Sequence, residues 1–291
     1  MHVELPDIFE RKEVRELIKR ALAEDLGPIC QDVTSDALVP PEEVAEAHLV
    51  AREACRLAGT TVAAEVFQLI NPELACEIRI PDGTAVEKGA VVLVIKGSAQ
   101  SILTAERTAL NFIQRMSGVA TVTAEYVQTA GTPDVLLLDT RKTMPALRPF
   151  EKYAVLCGGG TSHRYGLFDA VLIKDNHLAS WAKKHGTGVG EAVAAARAKY
   201  PALKIEVEVD TIEQLKEALT AQPDWVLLDN MPPPVLRECV ALCQGICQTE
   251  ASGGINLKTI HAIAQTGVDA ISVGALTHSA PSIDLALDFV E

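Results

Sequence analysis

Aromatic side chains are scarce, at 4% of 291 residues, and basic residues are outnumbered, with 26 Lys and Arg against 39 Asp and Glu. The resulting formal charge of -13 excludes a general binder of nucleic acid or of an anionic membrane surface, because phosphates would be repelled. No apolar run approaches the roughly 20 residues of a membrane span. The opening MHVELPDIFERKEV has no signal-peptide apolar segment, so the expected compartment is the cytoplasm. The seven cysteines are odd in number and contain no C-x-x-C pair, which argues against a disulfide framework and for reduced, mostly buried thiols. Cys239, Cys243 and Cys247 recur every four residues, but Gly245 interrupts them, and core packing is the expected role.

What is present is aliphatic: hydrophobic residues make up 48% of the chain, enough for a sizeable core. Past residue 134, short aliphatic runs alternate with helical patterns. Strands are expected at 135–139, 170–174, 204–209, 225–229, 246–250 and 270–274, with helices at 188–199, 211–221, 232–243 and 256–266. That alternation means parallel strands joined by right-handed crossovers. Each run ends on a charged residue or a glycine, and the C-terminal ends of such strands are where a β/α barrel builds its active site. Six strands fall short of eight, so an incomplete barrel or a cryptic strand is expected. Ahead of this lies a smaller α/β region. It has helices at 11–26 and 59–70, strands at 44–52 and within 74–97, and turns at Pro81-Asp82-Gly83 and Glu87-Lys88-Gly89. A helical stretch over 101–130 carries an expected break at Ser117-Gly118. The chain after Pro281 should pack back on the small domain.

Within this acidic chain, 140–174 is basic, with Arg141, Lys142, Arg148, Lys152, His163, Arg164 and Lys174. Such a cluster repels itself unless an anion fills it, and arginine's planar fork suits carboxylate or phosphate. Glu208 and Asp229 terminate neighbouring runs. They suit a Mg²⁺ site, which takes hard oxygen ligands, or equally ion pairs with Lys142 or Lys174. Ser252-Gly253-Gly254 and Gly274 sit on the final two strands, a common place for phosphate, where glycines let backbone N–H groups approach an anion. His177 reads as structural.

In this order, the motifs resemble one family. They are Ala23-Glu24-Asp25-Leu26-Gly27, Asp32-Val33-Thr34, Glu106-Arg107-Thr108-Ala109-Leu110-Asn111, Asp139-Thr140-Arg141-Lys142-Thr143 and Cys157-Gly158-Gly159-Gly160 with His163-Arg164. Then come Leu172-Ile173-Lys174-Asp175-Asn176-His177, Glu206-Val207-Glu208-Val209, Leu228-Asp229-Asn230, Ser252-Gly253-Gly254 and Val273-Gly274-Ala275. Across nearly the whole chain they resemble quinolinate phosphoribosyltransferase, a type II phosphoribosyltransferase. The resemblance implies an N-terminal α/β sandwich domain (1–116, with the tail 278–291) and a C-terminal open β/α barrel (117–277). It implies transfer of phosphoribosyl from 5-phosphoribosyl 1-pyrophosphate to quinolinate with decarboxylation, giving nicotinate mononucleotide, pyrophosphate and CO₂, with Mg²⁺ as cofactor. It also implies a homodimer with shared active sites, in some members a hexamer.

Carried over by motif, Arg107 (from a neighbouring subunit), Arg141, His163 and Arg164 would clamp the quinolinate carboxylates, with Lys174 nearby. Lys142 would serve the pyrophosphate. Glu208 and Asp229 would hold Mg²⁺ or ribose hydroxyls, and Ser252, Gly253, Gly254 and Gly274 the 5-phosphate. Lys142, Lys174, Glu208 and Asp229 would carry the chemistry. Three positions depart from the family pattern: Gln31 and Ala146, where glycine is usual or common, and Ser162, where asparagine is frequent.

Overall fold

Aliphatic residues at helical and at two-residue spacing sort themselves along the chain into twelve strands and eleven α-helices among the residues that the structure, a computed structural model, describes (5–186 and 188–290). The chain folds into two compact units. The first comprises residues 1–124, 143–159 and 276–291, and the second 125–142 and 160–275. The segment 143–159, expected with the barrel, thus belongs with the small domain. The division falls after 124, eight residues past the expected 116, and both positions lie inside one helix spanning 99–130.

The first unit holds α1 (Lys12–Leu26), α2 (Val33–Leu38), β1 (Val44–Ala51), β2 (Cys55–Arg56), α3 (Thr60–Ile70), β3 (Ala75–Ile78), β4 (Ala85–Val86) and β5 (Val91–Ser98). The long α4 (Ala99–Ala130) begins in it. An antiparallel sheet, ordered β12-β1-β5-β3, takes its edge strand β12 (Leu285–Phe289) from the C-terminal segment, which is the expected return of the tail. α1 buries one stripe, Val14, Ile18 and Leu22, whereas α3 is buried on most sides, at Thr60, Val62, Ala63, Ala64, Val66 and Phe67.

α4 runs through Ser117-Gly118 without the expected break. The pair is a packing notch. Ser117 Oγ accepts from Ala58 N and donates to Ala58 O, both at 3.1 Å. A Cβ at position 118 would lie 1.8 Å from the Pro281 carbonyl oxygen, so only glycine admits the returning chain. Gly118→Ala is expected to cost about 1–3 kcal/mol despite alanine's better helix propensity, because the obstacle is backbone. Urea denaturation with unchanged or raised stability would refute this packing argument.

The second unit is one parallel sheet ordered β6-β11-β10-β9-β8-β7. Its strands are β6 (Leu136–Leu138), β7 (Val171–Ile173), β8 (Ile205–Val209), β9 (Trp225–Asp229), β10 (Gln248–Ser252) and β11 (Ala270–Ser272). In chain order, α5 (Arg148–Cys157) belongs to the first unit, and α6 (Asp175–His185), α7 (Val189–Lys199), α8 (Ile212–Leu219), α9 (Pro233–Cys243) and α10 (Ile260–Ala264) connect strands of the second. The four-residue α11 (Ala275–His278) follows β11. No ladder joins β6 to β7 among the described residues, so the barrel is open. The cryptic strand is one residue long: Thr161 bridges Leu138 in parallel.

β10 begins two residues later than expected. Gly245 (φ +75°) and the Cys247 N–H bonded to Cys243 O keep the chain in the turn after α9. The shift puts Glu250 in the middle of its strand rather than at its end. Cys239 and Cys243 are buried, as expected of core thiols.

Candidate active site

Side chains two apart on a strand share a face. Glu206 and Glu208 therefore face one way on β8. The register Glu208↔Leu227 puts Leu227 and Asp229 of β9 on that same face. Two layers of polar groups result inside the open barrel, one at mid-strand and one at the C-terminal ends.

The outer layer is basic. Arg141, Lys142, Arg164 and Lys174 line a cavity of about 340 Å³ together with Thr140, His163, Ser252, Ser272 and the inner carboxylate Glu250. Arg141 Nε is buried with no hydrogen-bond partner, an orphaned donor that an anionic group in the cavity would satisfy. Burial lowers the Arg164 pKa, and the neighbouring Arg141 charge lowers it further. The two guanidiniums repel each other, and an anion between them would relieve that.

The segment carrying His163 and Arg164 is tied to the end of β6. Fully buried Asp139 accepts from His163 N (2.9 Å) through Oδ1 and from Ser162 Oγ (3.3 Å) through Oδ2. Ser162, the departure nearest the chemistry, is thus part of the anchor. Ala146 holds φ +65°, a left-handed backbone that explains why glycine is common there.

The inner layer is a cluster that sequence reasoning missed. His163 Nε2 lies 3.1 Å from a carboxylate oxygen of Glu206 and 3.1 Å from one of Glu250. Burial disfavours charge on the ring, but hydrogen bonds to Glu206 and Glu250 and their charges outweigh it, so the pKa is pushed up to about 10. Burial raises the Glu206 pKa too, although the His163 contact opposes this. The proton belongs to the cluster as a whole. The signal was available: Glu206 stands two residues before Glu208, on the same face.

Linkage gives a prediction. Between about pH 6.5, where an unfolded imidazole titrates, and about pH 10, the folded cluster binds more protons than the unfolded chain. Its stabilisation is complete below that window and is lost as pH rises through it. Denaturant unfolding at several pH values should show this decline, and Glu250→Gln should flatten its alkaline end. Parallel profiles for the two proteins would contradict it.

The remaining expected residues fall as follows. Lys174 Nζ is in contact with a Glu208 carboxylate oxygen, one of the two ion pairs considered for that carboxylate. Asp229 accepts from Asn230 Nδ2 at 2.6 Å. Gly253 has φ +92°, and a Cβ there would lie 2.2 Å from Asn230 Oδ1, so the turn after β10 admits only glycine. Gly254 (φ +60°) follows it, and Gly274 stands just before α11. Ser252 ends β10 in the cavity wall. Arg107 is exposed on the part of α4 that belongs to the first unit. His177 Nδ1 accepts from Lys174 N at 2.9 Å, a helix-capping role. No described helix is long and apolar enough to cross a membrane.

Comparison with known proteins agrees with this architecture. Residues 32–117 match the family model of the quinolinate phosphoribosyl transferase N-terminal domain, and residues 119–288 that of its C-terminal domain. The chain is 42% identical over 283 residues to the carboxylating nicotinate-nucleotide pyrophosphorylase of Mycobacterium leprae, covering 94% of this chain and 96% of that one. It is 41% identical over 301 residues to the decarboxylating quinolinate phosphoribosyltransferase 2b of Nicotiana tabacum, covering 97% and 84%. The solved nicotinate-nucleotide pyrophosphorylase of Francisella tularensis superposes with a TM-score of 0.90 at 39% identity, over 99% of this chain and 98% of that one. The chain belongs to the quinolinate phosphoribosyltransferase family.

Proposed function

We propose that this chain transfers phosphoribosyl from 5-phosphoribosyl 1-pyrophosphate to quinolinate and decarboxylates the product, giving nicotinate mononucleotide, pyrophosphate and CO₂ for NAD biosynthesis. The observation that carries the reading is the pair of mutually repelling guanidiniums, Arg141 and Arg164, with Arg141 Nε buried and unpartnered beside Lys142 and Lys174. A dicarboxylate needs more cations than a monocarboxylate, and this wall supplies them.

In the reaction, the pyridine nitrogen bonds to C1 of the ribose as pyrophosphate leaves with the electron pair. The C–C bond to the 2-carboxylate then breaks, CO₂ departs, and the pair left on the ring carbon takes a proton. The chain's part is mainly positional and electrostatic. Arg141 and Arg164 hold the carboxylates, and Lys174, kept in place by Glu208, stands beside the ring. Lys142 offers charge to the leaving pyrophosphate. Ser252 and the backbone of Gly253, Gly254 and Gly274 receive the 5-phosphate.

Glu208 and Asp229 offer hard carboxylate oxygens on one face of adjacent strands, a donor set that fits Mg²⁺. When bound, the ion would supply charge to the pyrophosphate. Exposed Arg107 is assigned to the active site of a second subunit in a homodimer or a higher assembly, acting in the cytoplasm. Mixing an Arg107→Ala subunit with a Lys142→Ala subunit should restore activity that neither has alone if sites are shared. No recovery would reject that assignment.

The test of the reaction is CO₂ release from carboxyl-labelled quinolinate. Release that requires both phosphoribosyl pyrophosphate and Mg²⁺, with nicotinate mononucleotide formed, is expected. Consumption of nicotinate in place of quinolinate would overturn the substrate.

A further inference from the structure

Two thiols meet where α9 hands the chain to β10. The Cys247 N–H donates to the Cys243 carbonyl at 3.2 Å, one helical turn back, and Gly245 (φ +75°) turns the chain between them. The side chains follow the backbone: the Cys243 S–H donates to the Cys247 sulfur. That bond divides the roles. It holds the Cys247 pKa below the usual thiol value, against burial and the charge of Asp269, and together with burial it pushes that of Cys243 up. Cys247 is half-buried and Cys243 is buried. The sulfur within reach of solvent is therefore the one that favours thiolate, the form that attacks. The third thiol of the stripe is engaged elsewhere, with Cys239 Sγ 3.7 Å from Met231 Sδ.

Oxidation at Cys247 would bear on β10. Asp269 Oδ2 accepts from Thr249 N at 2.7 Å and from Thr249 Oγ1 at 2.8 Å, which pins the second residue of that strand. The Asp269 charge already acts on both thiols. A sulfinate on Cys247 would set a fixed negative charge against it.

We propose that Cys247 and Cys243 are a peroxide-oxidised pair, with Cys247 the attacking thiol and Cys243 the resolving one, closing a reversible disulfide that keeps Cys247 from reaching the sulfinate. In the first step the Cys247 thiolate attacks one oxygen of hydrogen peroxide. The O–O bond breaks, and the departing hydroxide takes up a proton to become water. Cys247 is then a sulfenic acid. In the second step Cys243 gives up its S–H proton and its sulfur displaces the hydroxyl, which leaves with that proton as water. Two thiols are oxidised, and one peroxide is reduced by two electrons. The sulfurs, already in hydrogen-bond contact, must close to about 2 Å, a movement the turn at Gly245 can absorb. A small dithiol reverses the bond by exchange.

The test is hydrogen peroxide treatment of the full chain, followed by thiol blocking, peptide mapping and urea denaturation. In the wild type the peptide Glu238–Lys258 should lose two hydrogens and regain them with dithiothreitol, and the urea midpoint should hold. In Cys243→Ser no bond can form, so Cys247 should gain two oxygens and the midpoint should fall below that of the untreated variant. In Cys247→Ser, Cys243 should stay reduced.

A wild-type peptide that never loses two hydrogens would overturn the proposal. So would a bond that persists in Cys247→Ser, since Cys239 would then be the partner. Sulfinic acid at Cys247 forming as readily in the wild type as in Cys243→Ser, or an unchanged midpoint in the oxidised variant, would overturn the protective role. If Cys243→Ser does not fold, the wild-type map and Cys247→Ser, at the half-buried position, still decide.

Discussion

Arg141→Ala is expected to lower kcat/KM for quinolinate by about 1,000-fold, roughly 4 kcal/mol, while the protein stays folded. Arg141 leaves the end of β6 with its Nε buried and unpartnered, and its charge is close enough to Arg164 to depress the pKa of that residue. A side chain held so, without an internal acceptor, costs stability in the empty protein and gains its partner only when an anion arrives. Removing it should therefore leave the stability of the empty protein unchanged or slightly higher. Arg141→Lys should recover only part of the loss, because an ammonium is a point charge and cannot make two parallel hydrogen bonds to one carboxylate. Steady-state kinetics with each substrate varied in turn, beside urea denaturation, separates these effects. Full activity in Arg141→Lys would show that charge alone suffices. A marked fall in stability for Arg141→Ala would show that the residue is structural.

Glu151→Ala is expected to cost about 3–5 kcal/mol of folding stability, because it strands a buried cation. Within the first unit, fully buried Glu151 accepts from Arg115 Nε at 3.0 Å and from Arg115 Nη2 at 2.5 Å, and its other oxygen accepts from Met144 N at 3.0 Å. Arg115 also donates to the carbonyls of Ala280 and Thr277, so it joins α4, α5 and the C-terminal segment of the unit. Deleting the carboxylate leaves the guanidinium half-satisfied and the Met144 N–H without its acceptor. Replacing both partners with apolar residues of similar volume, as in Arg115→Met with Glu151→Leu, should recover part of the loss, since no charge is then left buried. Denaturant unfolding of the two single variants and the double variant closes the cycle. A Glu151→Ala variant within about 1 kcal/mol of the wild type would mean that water reaches this ion pair.

The parallel strands, the helices between them and the basic cluster at the strand ends were legible because each is a local pattern. Aliphatic runs of strand length, turn glycines and the charge contrast of 140–174 are all carried by neighbours in sequence. Ser117-Gly118 was misread for the complementary reason. A serine and a glycine inside a helix look like a break until the returning Pro281 backbone, from the far end of the chain, occupies the space of the absent Cβ. The segment 143–159 follows the same logic: its helix goes with the unit that contains Arg115, because its buried Glu151 has its partner there.

By itself, then, the sequence determined the order of elements, the family and most residues of the basic wall. Only the tertiary structure decided that Glu206 and Glu250, from strands not adjacent in the sheet, meet on one imidazole. The physical reason is that strand register sets which side chains share a depth inside an open barrel. Register here depended on a two-residue delay at the start of β10, caused by the turn at Gly245 rather than by the strand's own residues.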